Sequence, residues 1–93
     1  MKDEETEEPC CLLHEEAGNL CGATLCHRLL RGTGCYWIEA QYRGQTARVR
    51  VEAGFLLTTA IYGKVVRGGV TPCTLADVVE DLLTAAVLSD AHF

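Results

Sequence analysis

The sequence predicts one small α+β domain with the element order α-β-β-α-α, in which helices pack on one face of a short antiparallel hairpin sheet. A hairpin pattern occupies the middle of the chain, and a strongly amphipathic helix pattern lies toward its C-terminal end. The 93 residues, 48% of them hydrophobic, suffice for one modest core. We therefore expect a single compact unit.

The first nine residues differ in composition from the rest of the chain. Residues 1–9 hold no apolar residue after Met1 and end at Pro9. Such a segment cannot bury enough surface to offset the entropy lost on ordering. We expect a flexible acidic tail over residues 1–9 and the single domain over residues 10–93.

One helix is expected before the hairpin, over residues 20–31, with Asn19 as N-cap and Gly32 as the C-terminal stop. Its apolar side would hold Gly22, Ala23, Leu25, Cys26, Leu29 and Leu30. Residues 10–16 are compatible with a further short helix, which Gly18-Asn19 would break.

One β-hairpin is predicted over residues 35–52, with Arg43-Gly44 as a two-residue turn. Pairing around this turn leaves one face wholly apolar: Tyr36 opposite Val51, Ile38 opposite Val49 and Ala40 opposite Ala47. The other face pairs Glu39 with Arg48 and Trp37 with Arg50, an opposite-charge pair beside a cation over an indole. Both faces favour the same register.

The segment 55–67 carries mixed signals. Thr58, Thr59 and Ile61 favour a strand, whereas the spacing of its apolar residues favours a helix. The pair Gly68-Gly69 is a strong helix stop, so we predict a helix and keep the strand as the alternative.

The last predicted element is a helix that begins after Thr74. Its apolar face holds Leu75, Val78, Val79, Leu82, Leu83 and Ala86, and its opposite face is acidic. Residues 89–93 are expected to fray.

Charge and cysteine content indicate the compartment in which the protein is found. The net charge is −5, with a basic middle between two acidic ends. The acidic N-terminal sequence is unlike a secretory signal, and no apolar stretch is long enough to span a bilayer, so we expect an intracellular protein without membrane contact. In a reducing compartment the six cysteines stay free thiols.

The leading functional hypothesis is a non-enzymatic protein–protein interaction module, a subunit or adaptor. A lone two-stranded ribbon is marginal in water, and its edges invite another strand, so we expect a homodimer formed through the hairpin. The expected partner-binding residues are Trp37, Glu39, Arg48 and Arg50. No catalytic constellation and no small-molecule substrate site stands out in the sequence.

Two alternatives belong to other classes. The residues Cys21, Cys26, His27 and Cys35 are of the types that bind zinc, and they suggest a zinc-stabilised module; no other cofactor is implied. The basic hairpin face with its tryptophan suggests nucleic-acid binding, which the acidic flanks disfavour.

Overall fold

The computed structural model describes residues 11–90, so the expected acidic tail lies outside the described residues. Four strands precede two helices. They are β1 (Cys11–Leu20), β2 (Ala23–Gly32), β3 (Cys35–Tyr42), β4 (Gln45–Val51), α1 (Phe55–Arg67) and α2 (Leu75–Asp90). The small α+β class is confirmed, but the expected order α-β-β-α-α is wrong.

The helix expected before the hairpin over residues 20–31 is not formed, and neither is the short helix considered over residues 10–16. The segment 10–16 falls largely within β1, and the segment 20–31 forms the turn after β1 and most of β2. The apolar spacing in β2 was misleading because this inner strand carries apolar residues on both faces. Its consecutive residues Leu29 and Leu30 are 0% and 8% exposed. Apolar residues on both faces remove the alternation that marks a half-buried strand.

The predicted hairpin is confirmed in register. Trp37 pairs with Arg50, Ile38 with Val49 and Glu39 with Arg48. The turn residues Arg43 and Gly44 both have positive φ, 50° and 78°. Two successive positive φ values match the right-handed twist of the flanking strands, which is why such turns favour glycine.

The hairpin belongs to a larger sheet. Four antiparallel strands follow one another in the order β1-β2-β3-β4. The turn from β1 to β2 has the same geometry, with φ of 51° at Cys21 and 84° at Gly22. Because β2 pairs with the other edge of β3, the hairpin is not a lone ribbon, and within residues 11–90 the free edges belong to β1 and β4.

Both expected helices after the hairpin are confirmed. Gly68 caps the C-terminus of α1, and Gly69 follows with a φ of 61°. The N–H of Gly69 donates to the carbonyl of Val66 over 3.1 Å, so the last carbonyls of α1 stay satisfied. The N–H of Val78 donates to the carbonyl of Thr74 over 3.0 Å, which places the start of α2 where the sequence predicted it.

The helices cover one face of the sheet, as expected. Helix α1 packs against β2 and α2, and α2 packs against β4. The core between the two layers consists of Leu29, Ile38, Ala40, Val51, Ile61, Tyr62, Val65, Leu75 and Val79. Across the described part of the chain, neither helix is long and apolar enough to cross a membrane.

Candidate functional site

The second face of the sheet has no helix on it within residues 11–90. Successive side chains of a strand point to opposite faces, so the core positions Ile38 and Ala40 place Trp37 and Glu39 on the other side. We call this second surface the open face. From the strand register it holds Leu12, Glu15, Ala17, Cys26, Arg28, Leu30, Cys35, Trp37, Glu39, Gln41, Thr46, Arg48 and Arg50. All four residues that the sequence predicted to bind a partner therefore share one surface.

A row of alternating charges crosses the open face from edge to edge. The strand pairing aligns Glu15, Arg28, Glu39 and Arg48, one from each strand, and we call these four residues the charged row. Arg28 Nε lies 2.7 Å from Glu15 Oε2, and Arg28 Nη1 lies 2.7 Å from Glu39 Oε2. Arg48 Nη2 closes the row at 2.7 Å from Glu39 Oε1. Each carboxylate thus accepts hydrogen bonds from at least one guanidinium.

The centre of the charged row is well shielded from water. The Glu39 side chain is 7% exposed and accepts hydrogen bonds from two arginines, one on each neighbouring strand. The hydrogen bond to Glu15, followed by the one to Glu39, raises the pKa of Arg28 above its usual value. Beside them, burial raises the pKa of the Cys26 thiol. Glu39 is satisfied on both sides and holds three strands together.

An apolar group lies next to the charged row, around the only tryptophan. Trp37 is half-buried and pairs with Leu30 of β2, while Cys35 pairs with Gly32. A Cβ atom on Gly32 would lie 2.8 Å from Trp37 Nε1, so the indole lies directly over this glycine. Leu30 and Cys35 are only 8% and 7% exposed although they face away from the helices. The indole and its neighbours therefore form a second, smaller apolar cluster.

The expected cation over the indole is not formed. Arg50 pairs with Trp37 in register, but its Nε lies 3.0 Å from Glu52 Oε2. Within the described residues the cation–π contact is that of Arg43 over the Tyr42 ring, at 5.3 Å from the centroid.

The four residues predicted to bind zinc lie apart. Cys21 is exposed in the β1–β2 turn, and Cys35 lies at the start of β3. Cys26 and His27 are consecutive in β2, so their side chains point to opposite faces, and His27 is buried under α1. Residues 11–90 contain no group of three histidine, cysteine or acidic side chains arranged to hold a metal ion. The geometry gives the zinc alternative no support.

The nucleic-acid alternative requires cations that are free to meet phosphate. On the open face Arg28, Arg48 and Arg50 each contact a carboxylate at 3.0 Å or less. A phosphate would have to displace these carboxylates, so this surface does not favour nucleic acid.

Sequence reasoning missed two members of the charged row, Glu15 and Arg28. The signal was present, because the two residues lie at equal distances from the Cys21-Gly22 pair. Reading that pair as a hairpin turn, like Arg43-Gly44, would have placed them opposite each other.

The fold and site define a two-layer α+β domain with one sheet face left uncovered by residues 11–90. No protein-family model matches the chain, and neither the curated proteins nor the solved structures contain a match.

Proposed function

We propose that this protein is a non-enzymatic protein–protein interaction module that forms a homodimer through its open face. The observation that supports this most is the charged row, in which the order of signs reads acidic, basic, acidic, basic across the four strands. When a two-fold axis relates two copies, the row of one copy faces the row of the other in reverse order, so each acidic residue meets a basic one.

The complementary arrangement has a defined geometry. A two-fold axis parallel to the strands and centred between β2 and β3 brings the open faces of two copies together. It sets Glu15 against Arg48 of the second copy, and Arg28 against Glu39 of the second copy. The neighbouring row of the face then places Trp37 on Leu30 of the second copy. An isologous contact of this kind uses the same patch on both subunits.

The energetics of the open face favour such a contact. Burial of charge is costly when the charge is unpaired, but the charged row is already paired within one chain. The apolar contribution comes from the half-buried Trp37 and the half-exposed Leu12. Tryptophan and arginine are the residue types most enriched among binding hot spots.

This arrangement replaces the edge-to-edge pairing expected from the sequence. Edge-to-edge pairing was expected because a lone two-stranded ribbon is too narrow to be stable. In the structure β2 pairs with β3, so the hairpin is not a lone ribbon. The predicted residues Trp37, Glu39, Arg48 and Arg50 stay at the proposed contact, but they act through the face of the sheet. An intracellular setting fits this role, since Cys11, Cys21, Cys26, Cys35 and Cys73 are all free thiols.

The test measures solution mass and tryptophan emission together. We expect light scattering to give twice the chain mass of 10.1 kDa, and we expect emission to shift to longer wavelength on dilution as Trp37 leaves its partner. Trp37→Ala and Arg50→Glu should lower the dimer fraction without changing far-UV circular dichroism.

The matched control is Leu56→Ala. Leu56 is a large apolar side chain, 82% exposed, on the helical layer. It should leave the dimer unchanged. A wild-type chain that stays monomeric at every concentration, or an equal response to Leu56→Ala and Trp37→Ala, would exclude the proposed contact.

A further inference from the structure

A cavity lies on the helical side of the sheet, next to the β1 edge, and is separate from the open face. Its volume is about 180 Å³, and residues 16–20 of β1 form one wall. Leu25 and His27 of β2 line it as well, and Val66 and Gly69 close it from the end of α1. Gly18 contributes no side chain, and a Cβ atom built on it would meet no atom within 4 Å. The missing side chain leaves this space open.

One wall of the cavity carries a buried hydrogen-bond acceptor. His27 is 3% exposed, and its Nε2 lies 2.7 Å from the carbonyl oxygen of Val70. A carbonyl oxygen only accepts, so Nε2 carries the proton, and in this tautomer Nδ1 is an acceptor. Within residues 11–90, Nδ1 has no hydrogen-bond partner. A buried acceptor of this kind favours a ligand that brings a donor.

A carboxylate lies beside the histidine. Glu16 is the cross-strand neighbour of His27 on the helical face, and it also lines the cavity. Glu16 forms no ion pair with any residue of the described range, unlike Glu15 next to it. Its charge acts on this side of the sheet, where it helps burial to raise the pKa of Tyr62 to about 12. The cavity therefore offers an anionic and an accepting group at one end and the apolar side chains of Leu20, Leu25 and Val66 at the other.

We propose that this cavity binds a primary ammonium group carried on a short apolar stem. The ammonium donates to His27 Nδ1 and to the Glu16 carboxylate, and the stem lies against Leu20, Leu25 and Val66. A water molecule takes up about 30 Å³, so the cavity holds about six non-hydrogen atoms. A lysine side chain, with four carbons and one nitrogen, fits this volume and this polarity.

The β1 edge indicates where such a lysine would come from. β1 is the outermost strand, so its outer backbone groups have no strand partner within residues 11–90. An extended segment of another protein that adds to this edge gains main-chain hydrogen bonds, and pockets beside the edge select its side chains. The cavity opens beside residues 16–20 of this same strand. A free alkylamine would make the contacts inside the cavity but would form no main-chain hydrogen bonds with the edge of β1.

The experiment titrates the full chain with three probes and follows its amide NMR signals. The first is a capped peptide of alternating threonine and valine with one central lysine. The second replaces the lysine by norleucine, and the third is n-pentylamine. We expect the lysine peptide to shift the signals of residues 16–20 and His27, and the norleucine peptide to bind about tenfold more weakly. Tighter binding of the lysine peptide than of pentylamine identifies a partner strand as the source. Equal binding of the lysine peptide and of pentylamine identifies a free amine as the source.

Matched variants locate the site. Gly18→Val places a side chain in the cavity, where its Cβ meets no atom within 4 Å, and should abolish the shifts. Thr46→Val places the same side chain on the open face, away from the cavity, and should keep them. Glu16→Gln should weaken lysine-peptide binding about tenfold, and Glu80→Gln, an exposed carboxylate on α2, should not.

Three results would overturn the ammonium site. They are equal binding of the lysine and norleucine peptides, no binding of any probe, and unchanged binding by Gly18→Val. The site lies on the opposite side of the sheet from the proposed dimer contact. Trp37→Ala should therefore leave peptide binding intact, and the two proposals fail separately.

Discussion

His27 donates a hydrogen bond from Nε2 to the main-chain carbonyl of Val70 over 2.7 Å, joining the second strand to the loop between the two helices. His27 and Val70 lie far apart in the sequence, and His27 is 3% exposed. The backbone carbonyl of His27 in turn accepts a hydrogen bond from the Tyr62 hydroxyl over 3.1 Å. One residue of β2 thus holds both α1 and the loop that follows it.

Replacing His27 by leucine should destabilise the fold. The Val70 carbonyl would be left without its partner in a partly buried place, at a cost of about 1–3 kcal/mol in the free energy of unfolding. Urea unfolding measures this loss. Thr24→Ala, an exposed change on the same strand, should stay within about 0.5 kcal/mol. Equal stabilities for both variants would show that the hydrogen bond does not hold the loop.

The Tyr62 hydroxyl should make stability depend on alkaline pH. Burial raises its pKa from 10.0 to about 12, with the Glu16 carboxylate adding to the effect. Between those values the unfolded chain has lost this proton and the folded chain keeps it. The contribution is therefore complete below pH 10, and the free energy of unfolding falls by up to about 1.4 kcal/mol per pH unit above it.

Urea unfolding at about pH 9 and about pH 11 checks this expectation. Tyr62→Phe has no proton to lose, so its stability should fall less between the two conditions than that of the wild type. Parallel losses in both chains would assign the alkaline sensitivity to other groups.

Glu39 should be the most sensitive member of the charged row. Glu39→Gln keeps the shape but removes the charge that two guanidinium groups share, and it leaves Arg28 and Arg48 facing each other. We expect a loss of about 1–3 kcal/mol, measured by urea unfolding. Glu52→Gln is the control, because the pair of Arg50 with Glu52 is exposed and worth at most about 1 kcal/mol. A larger loss for Glu52→Gln than for Glu39→Gln would contradict the burial of the row.

The first hairpin turn should depend on its glycine. Gly22 has a φ of 84°, so Gly22→Ala should cost about 1 kcal/mol. Gly18 lies in the same hairpin without a positive φ, and a Cβ atom there meets open space. Gly18→Ala should therefore be neutral or stabilising. Thermal unfolding distinguishes the two variants, and the reverse order would rule out the turn at Cys21 and Gly22.

The second half of the fold could be predicted from local patterns. The register of the hairpin over 35–52 can be read from the sequence, because one face is apolar along its whole length and Arg43-Gly44 forms the two-residue turn. Helix α1 ends at its glycine pair, and α2 begins after Thr74, since these signals act within one turn of chain. The open-face location of Trp37 and Arg50 follows from the same register.

The first half could not be predicted in this way. β1 is exposed along most of its length, and β2 carries apolar residues on both faces, so neither shows the alternation of a half-buried strand. The leucines at 25, 29 and 30 instead match a helical spacing. Their true arrangement depends on α1 covering one face of β2 and Trp37 lying near the other, which are contacts with distant parts of the chain.

The sequence by itself determined the β3–β4 pairing, the two helices and the face that carries Trp37, because each depends on residues close along the chain. Only the tertiary structure decided that Glu15 and Arg28 extend the pair of Glu39 and Arg48 across four strands, and that a cavity lies beside Gly18. Both features arise where separate elements meet. A strand with apolar residues on both faces carries no local mark of which neighbours cover it.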